Sequence, residues 1–130
     1  MAPSKRALHV DDDPMITKLV RRVLERAGYQ VSSACNSAEA LRALVESPPS
    51  MILLDVNIGD ENGYELCNLM REAGTTAPVA FLTANRTMED VKMAQQVGGD
   101  YFIVKPFTPD ALLAGLAKAA SARQRSAKPA

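Results

Sequence analysis

Three observations predict an α/β fold built on a parallel sheet. Short apolar runs recur along the chain, most of them lack polar alternation, and helical spacing fills the gaps between them. The runs are "ALHV" (7–10), "YQVSS" (29–33), "MILL" (51–54), "VAFL" (79–82) and "YFIV" (101–104). Strands covered on both faces read this way. Strand and helix alternate five times, which predicts a five-stranded parallel sheet with helices on both faces.

The helices follow in order. After the first strand, Asp13 suits an N-cap, Pro14 the first helical position and Gly28 the C-terminal stop. Between them Ile16, Leu19, Val20, Val23 and Leu24 form one apolar stripe. The second helix is predicted to start at Asn36, with Glu39 completing a capping box, and to stop before Pro48 and Pro49. The third starts near Asn62, with Glu65 three residues on, and ends at Gly74. The fourth runs from about Thr87 to Gly98, and the last begins at Thr108-Pro109 and carries Leu112, Leu113 and Leu116. No sequence repeat is present. One domain is expected over residues 5–122. Residues 123–130 form a flexible tail or the start of a linker, with Arg123, Arg125 and Lys128 solvated.

Composition narrows the function. A chain of 130 residues can bury a real core, and 47% hydrophobic with 23% charged residues is ordinary for a soluble globular protein. The formal net charge is zero, so the basic excess of a general nucleic-acid footprint is missing. No apolar run approaches the roughly 20 residues needed to span a bilayer. The start "MAPSKRALHV" has no apolar h-region. A cytoplasmic protein with no membrane contact and no direct nucleic-acid contact is expected. Cys35 and Cys67 lack metal-type spacing and read as buried free thiols.

The chemistry lies where the apolar runs stop. Asp11 and Asp12 follow the first strand, Asp55 follows "MILL", Thr83 follows "VAFL" and Lys105 follows "YFIV". In open parallel sheets functional groups gather beyond the carboxyl ends of the strands, so these five side chains should converge. Three carboxylates in one small site repel unless a counterion joins them. A hard divalent cation with oxygen ligands, Mg²⁺ by preference, meets that need. Lys105 adds positive charge and Thr83 a hydroxyl donor, which together suit a phosphoryl group. Taken singly each residue reads as a turn, a cap or a surface group, and Asp13 is read as a cap. Their joint placement after successive strands favours a site. His9, the only histidine, is read as a packed core residue.

The motifs "VDDDP" (10–14), "LLDVNIGDENGYEL" (53–66), "LTAN" (82–85) and "YFIVKPFTPDAL" (101–112) give the chain a resemblance to the receiver domain of bacterial two-component response regulators. The resemblance spans roughly residues 5 to 122 and is of the chemotaxis-regulator type. It implies a flavodoxin-like fold with strand order 2-1-3-4-5. It also implies that Asp55 accepts a phosphoryl group, that Asp12 is a direct Mg²⁺ ligand with Asp11 its water-mediated neighbour, and that the Asn57 backbone carbonyl also faces the metal. By the same resemblance Thr83 and Lys105 contact the phosphoryl group, Phe102 is the aromatic switch position, and the Lys105–Pro106 bond is cis. Alternation should put Tyr101 on the other face from Phe102.

The implied donor is a sensor histidine kinase or a histidine phosphotransfer protein. The implied readout is on the face made by helix four, strand five and helix five, which could also carry a dimer. The domain would catalyse only its own phosphorylation and dephosphorylation. The output domain or target is not legible, and the chain reads equally as a single-domain regulator or as one part of a longer protein. Two features depart from the family: Gly59 stands where a proline is usual, predicting a more mobile loop, and the switch aromatic is Phe, without a hydroxyl. A haloacid-dehalogenase-type phosphatase or phosphotransferase acting on a small molecule is the competing function. Asn57 opposes it, since those enzymes carry an acid two residues after the nucleophile. A flavodoxin-like cofactor carrier is the third reading, opposed by the lack of a Gly-rich phosphate loop after the first strand.

Overall fold

The computed structural model describes residues 5–84 and 86–127, so Asn85 of the "LTAN" motif and Lys128 lie outside the described residues. Five parallel strands, β1 (Lys5–Val10), β2 (Tyr29–Ala34), β3 (Met51–Asp55), β4 (Val79–Thr83) and β5 (Tyr101–Val104), lie in the order β2-β1-β3-β4-β5. Five helices connect and follow them: α1 (Pro14–Arg26), α2 (Ser37–Glu46), α3 (Gly63–Glu72), α4 (Met88–Gln96) and α5 (Pro109–Ala127). This is the flavodoxin-like architecture expected.

The sheet divides the core in two. Leu8, Val10, Ile52, Leu54, Val79, Phe81 and Phe102 pack with α2, α3 and α4 residues such as Leu44, Leu66, Met70 and Ala94. Their strand neighbours Ala7, Met51, Leu53, Ala80, Leu82 and Ile103 pack with Val20, Leu24, Leu112, Leu116 and Ala119 of α1 and α5. The central β3 is buried at every position, which is why "MILL" shows no alternation. Tyr101 packs on the α5 side and Phe102 on the other, as alternation predicts.

The expected caps are largely present. Asp13 accepts from the Met15 and Ile16 N–H groups, Asn62 from those of Tyr64 and Glu65, and Thr87 forms a capping box with Asp90. At α2 the box is displaced: Asn36 caps the Glu39 N–H, but the Glu39 carboxylate accepts from the N–H of Cys35 rather than Asn36.

Two expectations change. Cys35 is exposed beside Glu39, while Cys67 is buried as predicted; both are free thiols. Arg123 is not a solvated tail residue, because α5 continues to Ala127 and the Arg123 guanidinium lies 3.2 Å from the buried Asp100 carboxylate. The loop after β3 contains an unpredicted hairpin, Asn57–Ile58 against Glu61–Asn62. Gly59 takes φ +61 at the first of its two turn residues, a conformation closed to proline. Gly59 thus sits in a paired turn beside the buried Ile58. Among the described residues no helix is long and apolar enough to cross a membrane.

Candidate functional site

The strand register brings the predicted residues to one edge. Val10 lies beside Leu54, Asp55 beside Leu82, and Thr83 beside Val104. Asp11, the residue after β1, therefore emerges level with Asp55, and Lys105, the residue after β5, one position beyond Thr83. Asp11, Asp55 and Thr83 are buried, whereas Asp12 is exposed and forms the outer rim.

Lys105 reaches back across the site. Its Nζ lies 3.0 Å from Asp55 Oδ2 and 3.7 Å from Asp11 Oδ2. The bond that follows, Lys105–Pro106, is cis as expected. The other Asp55 oxygen accepts from the Asn57 N–H at 3.2 Å, and Asp11 Oδ1 accepts from the Asp13 N–H at 2.9 Å. Each buried carboxylate thus keeps one oxygen on the backbone and turns the other toward the centre.

Electrostatics separate the two acids. Burial raises Asp11, but the adjacent His9 ring, the Asp13 N–H and the Lys105 ammonium outweigh it and hold the carboxyl below its ordinary value. Burial holds Asp55 above its ordinary value, helped by the Asp11 charge and opposed by Lys105 and the Asn57 N–H. His9 is buried, as expected, but it also abuts the site. Its Nε2 is 3.6 Å from Asp11 Oδ2, and neither ring nitrogen is hydrogen-bonded.

The residues present suit a hard divalent cation. One oxygen each from Asp11, Asp12 and Asp55 lie within 4.8 Å of one another. Asp11 Oδ2 is buried without a hydrogen-bond partner, a costly state for a carboxylate oxygen that a cation would relieve. The Asn57 backbone stands two residues past Asp55, at the start of the hairpin.

Thr83 ends β4 and Phe102 sits in the middle of the neighbouring register. The Phe102 ring is already buried, with its centroid 5.6 Å from that of Phe81. Beyond it, Arg86, Val104, Phe107, Ala111 and Lys118 line an open depression of about 600 Å³ between β5 and α5.

Two residues with a part in this arrangement escaped the sequence reading. Gly63 opens α3, and any Cβ there would collide with the Asp55 carbonyl oxygen. The signal was a glycine, a poor helix former, directly after the Asn62 cap. Tyr64 donates its hydroxyl to Asp90 Oδ1 at 2.8 Å, joining α3 to α4. Nothing in its spacing announces a partner 26 residues away.

The family model described as the response regulator receiver domain matches residues 7–117. The transcriptional regulatory protein GltR of Pseudomonas aeruginosa is 38% identical over 115 residues, which cover 87% of this chain and 48% of that protein. The chain thus spans about half the length of the curated relatives it matches. Among solved structures, the chemotaxis protein CheY4 of Vibrio cholerae superposes with a TM-score of 0.86 at 30% identity, covering 90% of this chain and 99% of that one. A response regulator from Burkholderia pseudomallei, solved with a phosphorylated aspartic acid and a calcium ion, superposes with a TM-score of 0.82 at 27% identity, covering 95% and 73%.

Proposed function

We propose, from the premise that this chain belongs to the response regulator receiver domain family, that it takes a phosphoryl group onto Asp55 from the phosphohistidine of a sensor histidine kinase or phosphotransfer protein. Receiver domains are modules of two-component phosphorelay signalling, not conventional enzymes, and phosphorylation-dependent signalling is the function of the family. The family match lends no support to the dehalogenase-type alternative.

The observation that carries the assignment is the pairing of Asp55 with Lys105 at 3.0 Å beside Asp11 and Asp12. In the transfer, an Asp55 carboxylate oxygen forms the new O–P bond as the N–P bond of phosphohistidine breaks, and the electron pair returns to the imidazole nitrogen. Lys105 neutralises charge on the phosphoryl oxygens, and the Thr83 hydroxyl offers them a donor. Asp11, Asp12, Asp55 and the Asn57 carbonyl would hold Mg²⁺. Bound there, it supplies positive charge to the phosphoryl oxygens. The readout falls on the α4-β5-α5 face, where an output domain, a target or a second copy of the chain would dock. In this reading the protein acts in the cytoplasm, and residues 5–122 make the receiver, with the last turns of α5 to Ala127 continuing from it.

Asp55 is expected to be the sole acceptor. With a small phosphodonor and Mg²⁺, intact mass should show one phosphoryl gain on wild type and none on Asp55→Asn; a full gain on the variant would refute the assignment.

Mg²⁺ stabilisation should depend on Asp12. At a concentration 100 times its Kd, a ligand adds about 2.7 kcal/mol to folding stability. Asp12→Ala should lose most of that gain. Without metal the variant should melt at or above wild type, because the carboxylates are less crowded. Equal Mg²⁺-induced shifts of the two melting curves would contradict this role.

A further inference from the structure

α4 is lightly attached. Among its described residues only Ala94 is buried, whereas α3 buries Gly63, Tyr64, Leu66, Cys67 and Met70. Val91 and Val97 add partly buried contacts to the core. At its N-terminal turn the tie to the body is polar. Asp90 Oδ1 accepts from the Tyr64 hydroxyl at 2.8 Å, while Oδ2 accepts from the Thr87 hydroxyl at 2.7 Å and the Thr87 N–H at 3.2 Å. One carboxylate therefore caps α4 with one oxygen and ties it to α3 with the other.

The Tyr64 ring belongs to the packing beneath the site. It meets Phe81 edge-on at 4.9 Å, and Phe81 meets Phe102 at 5.6 Å. Phe81 lies two residues before Thr83 on β4, and Thr87 follows Thr83 by four. A shift at the end of β4 thus reaches the Tyr64–Asp90 bond by two routes, through the aromatic stack and through the loop to Thr87. Phe102 is buried already and has no hydroxyl, so its ring has little left to signal by turning inward.

We propose that the Tyr64–Asp90 hydrogen bond is a latch that holds the N-terminal turn of α4 in the unphosphorylated arrangement, and that Tyr64 is the positioning residue through which the Asp55 site controls the α4 face. This rests on the reading of Asp55 as phosphoacceptor. An element held by few contacts is drawn from the low-stability end of a fold, and one hydrogen bond is a large share of its restraint. If occupation of Asp55 releases the latch, linkage requires that removing the latch favour occupation of Asp55.

Tyr64→Phe deletes only the hydroxyl. In metal-containing buffer, amide exchange over residues 88–96 should speed up about 5- to 10-fold relative to wild type, the loss of one hydrogen bond. Beryllofluoride should bind the variant tighter by about the same factor, read by amide NMR titration, and should add little further exchange in α4. Asp90→Ser withdraws the acceptor and with it the Thr87 cap, so it should speed α4 exchange more than Tyr64→Phe and likewise tighten beryllofluoride binding. Faster α4 exchange with unaltered beryllofluoride affinity in both variants would make the bond merely structural and overturn the latch. Failure of wild type to bind beryllofluoride would instead bring down the reading of Asp55, and the coupling with it.

Discussion

Replacing Arg71 by Ala should cost the fold about 2–3 kcal/mol, below the roughly 3–5 kcal/mol for removing the sole partner of a buried charge. The Arg71 guanidinium sits at the end of the sheet away from Asp55. Its Nε and Nη2 donate to the Gly98 carbonyl at 3.0 and 2.8 Å, and its Nη1 donates to the Thr75 and Ala77 carbonyls at 3.1 and 2.7 Å. Nη2 also reaches Asp100 Oδ2 at 3.1 Å. One side chain thus satisfies three backbone carbonyls and a carboxylate that is 3% exposed. Alanine leaves Asp100 with the Val79 N–H at 2.8 Å and Arg123 at 3.2 Å. Those two partners make the loss smaller than for an isolated buried charge, and water entering near Gly98 would soften it further. Chemical denaturation measures it: the midpoint should fall with little change in slope. A loss under about 1 kcal/mol would mean that the clasp is dispensable. Because this network lies far from Asp55, the folded fraction of Arg71→Ala should still take up phosphoryl.

That clasp marks the limit of what the sequence made legible. Local signals were sufficient for the elements. The cap at Asp13 and the helix starts near Asn62 and Thr87 were readable because a cap needs partners within three residues. The convergence of Asp11, Asp55, Thr83 and Lys105 was also readable, since in a parallel sheet the carboxyl ends of neighbouring strands share one edge. What sequence could not show depended on distant pairing. Arg123 read as part of a basic tail because nothing near it in the chain is acidic; its partner Asp100 comes through the packing of α5 on β5. Residue type alone predicts a buried Cys35, but it lies just past the end of the edge strand β2, where one side of the sheet is open. Gly59 was read as loosening its loop because the freedom of glycine is visible in sequence. The two-residue hairpin that uses its positive φ is not.

Gly63→Ala should be the most damaging small substitution near the site. A Cβ on Gly63 would collide with the Asp55 carbonyl oxygen and would also stand 3.1 Å from the Asp55 carbonyl carbon and the Val56 Cα. All three are backbone atoms, so no side-chain rotation relieves the contact. The Gly63 N–H donates to the Val56 carbonyl at 2.7 Å, which pins α3 against the end of β3. Relief requires α3 to withdraw, breaking that bond and loosening Tyr64, Leu66 and Met70 from the core they fill. Overpacking in a well-packed core costs about 1–3 kcal/mol, and a backbone obstacle puts this change at the upper end or beyond. Gly28→Ala is the control. Its φ of +95 is unfavourable for alanine, but nothing lies within 4 Å of the added Cβ. Only the conformational penalty of about 1 kcal/mol applies there. Gly63→Ala should therefore melt well below Gly28→Ala. It should also differ in chemistry, because the carbonyl it pushes belongs to Asp55, the acceptor proposed above. At a temperature where both variants are folded, phosphoryl uptake from a small donor should be slowed in Gly63→Ala and unchanged in Gly28→Ala. Equal melting temperatures and equal uptake in the two variants would show that α3 yields without disturbing Asp55.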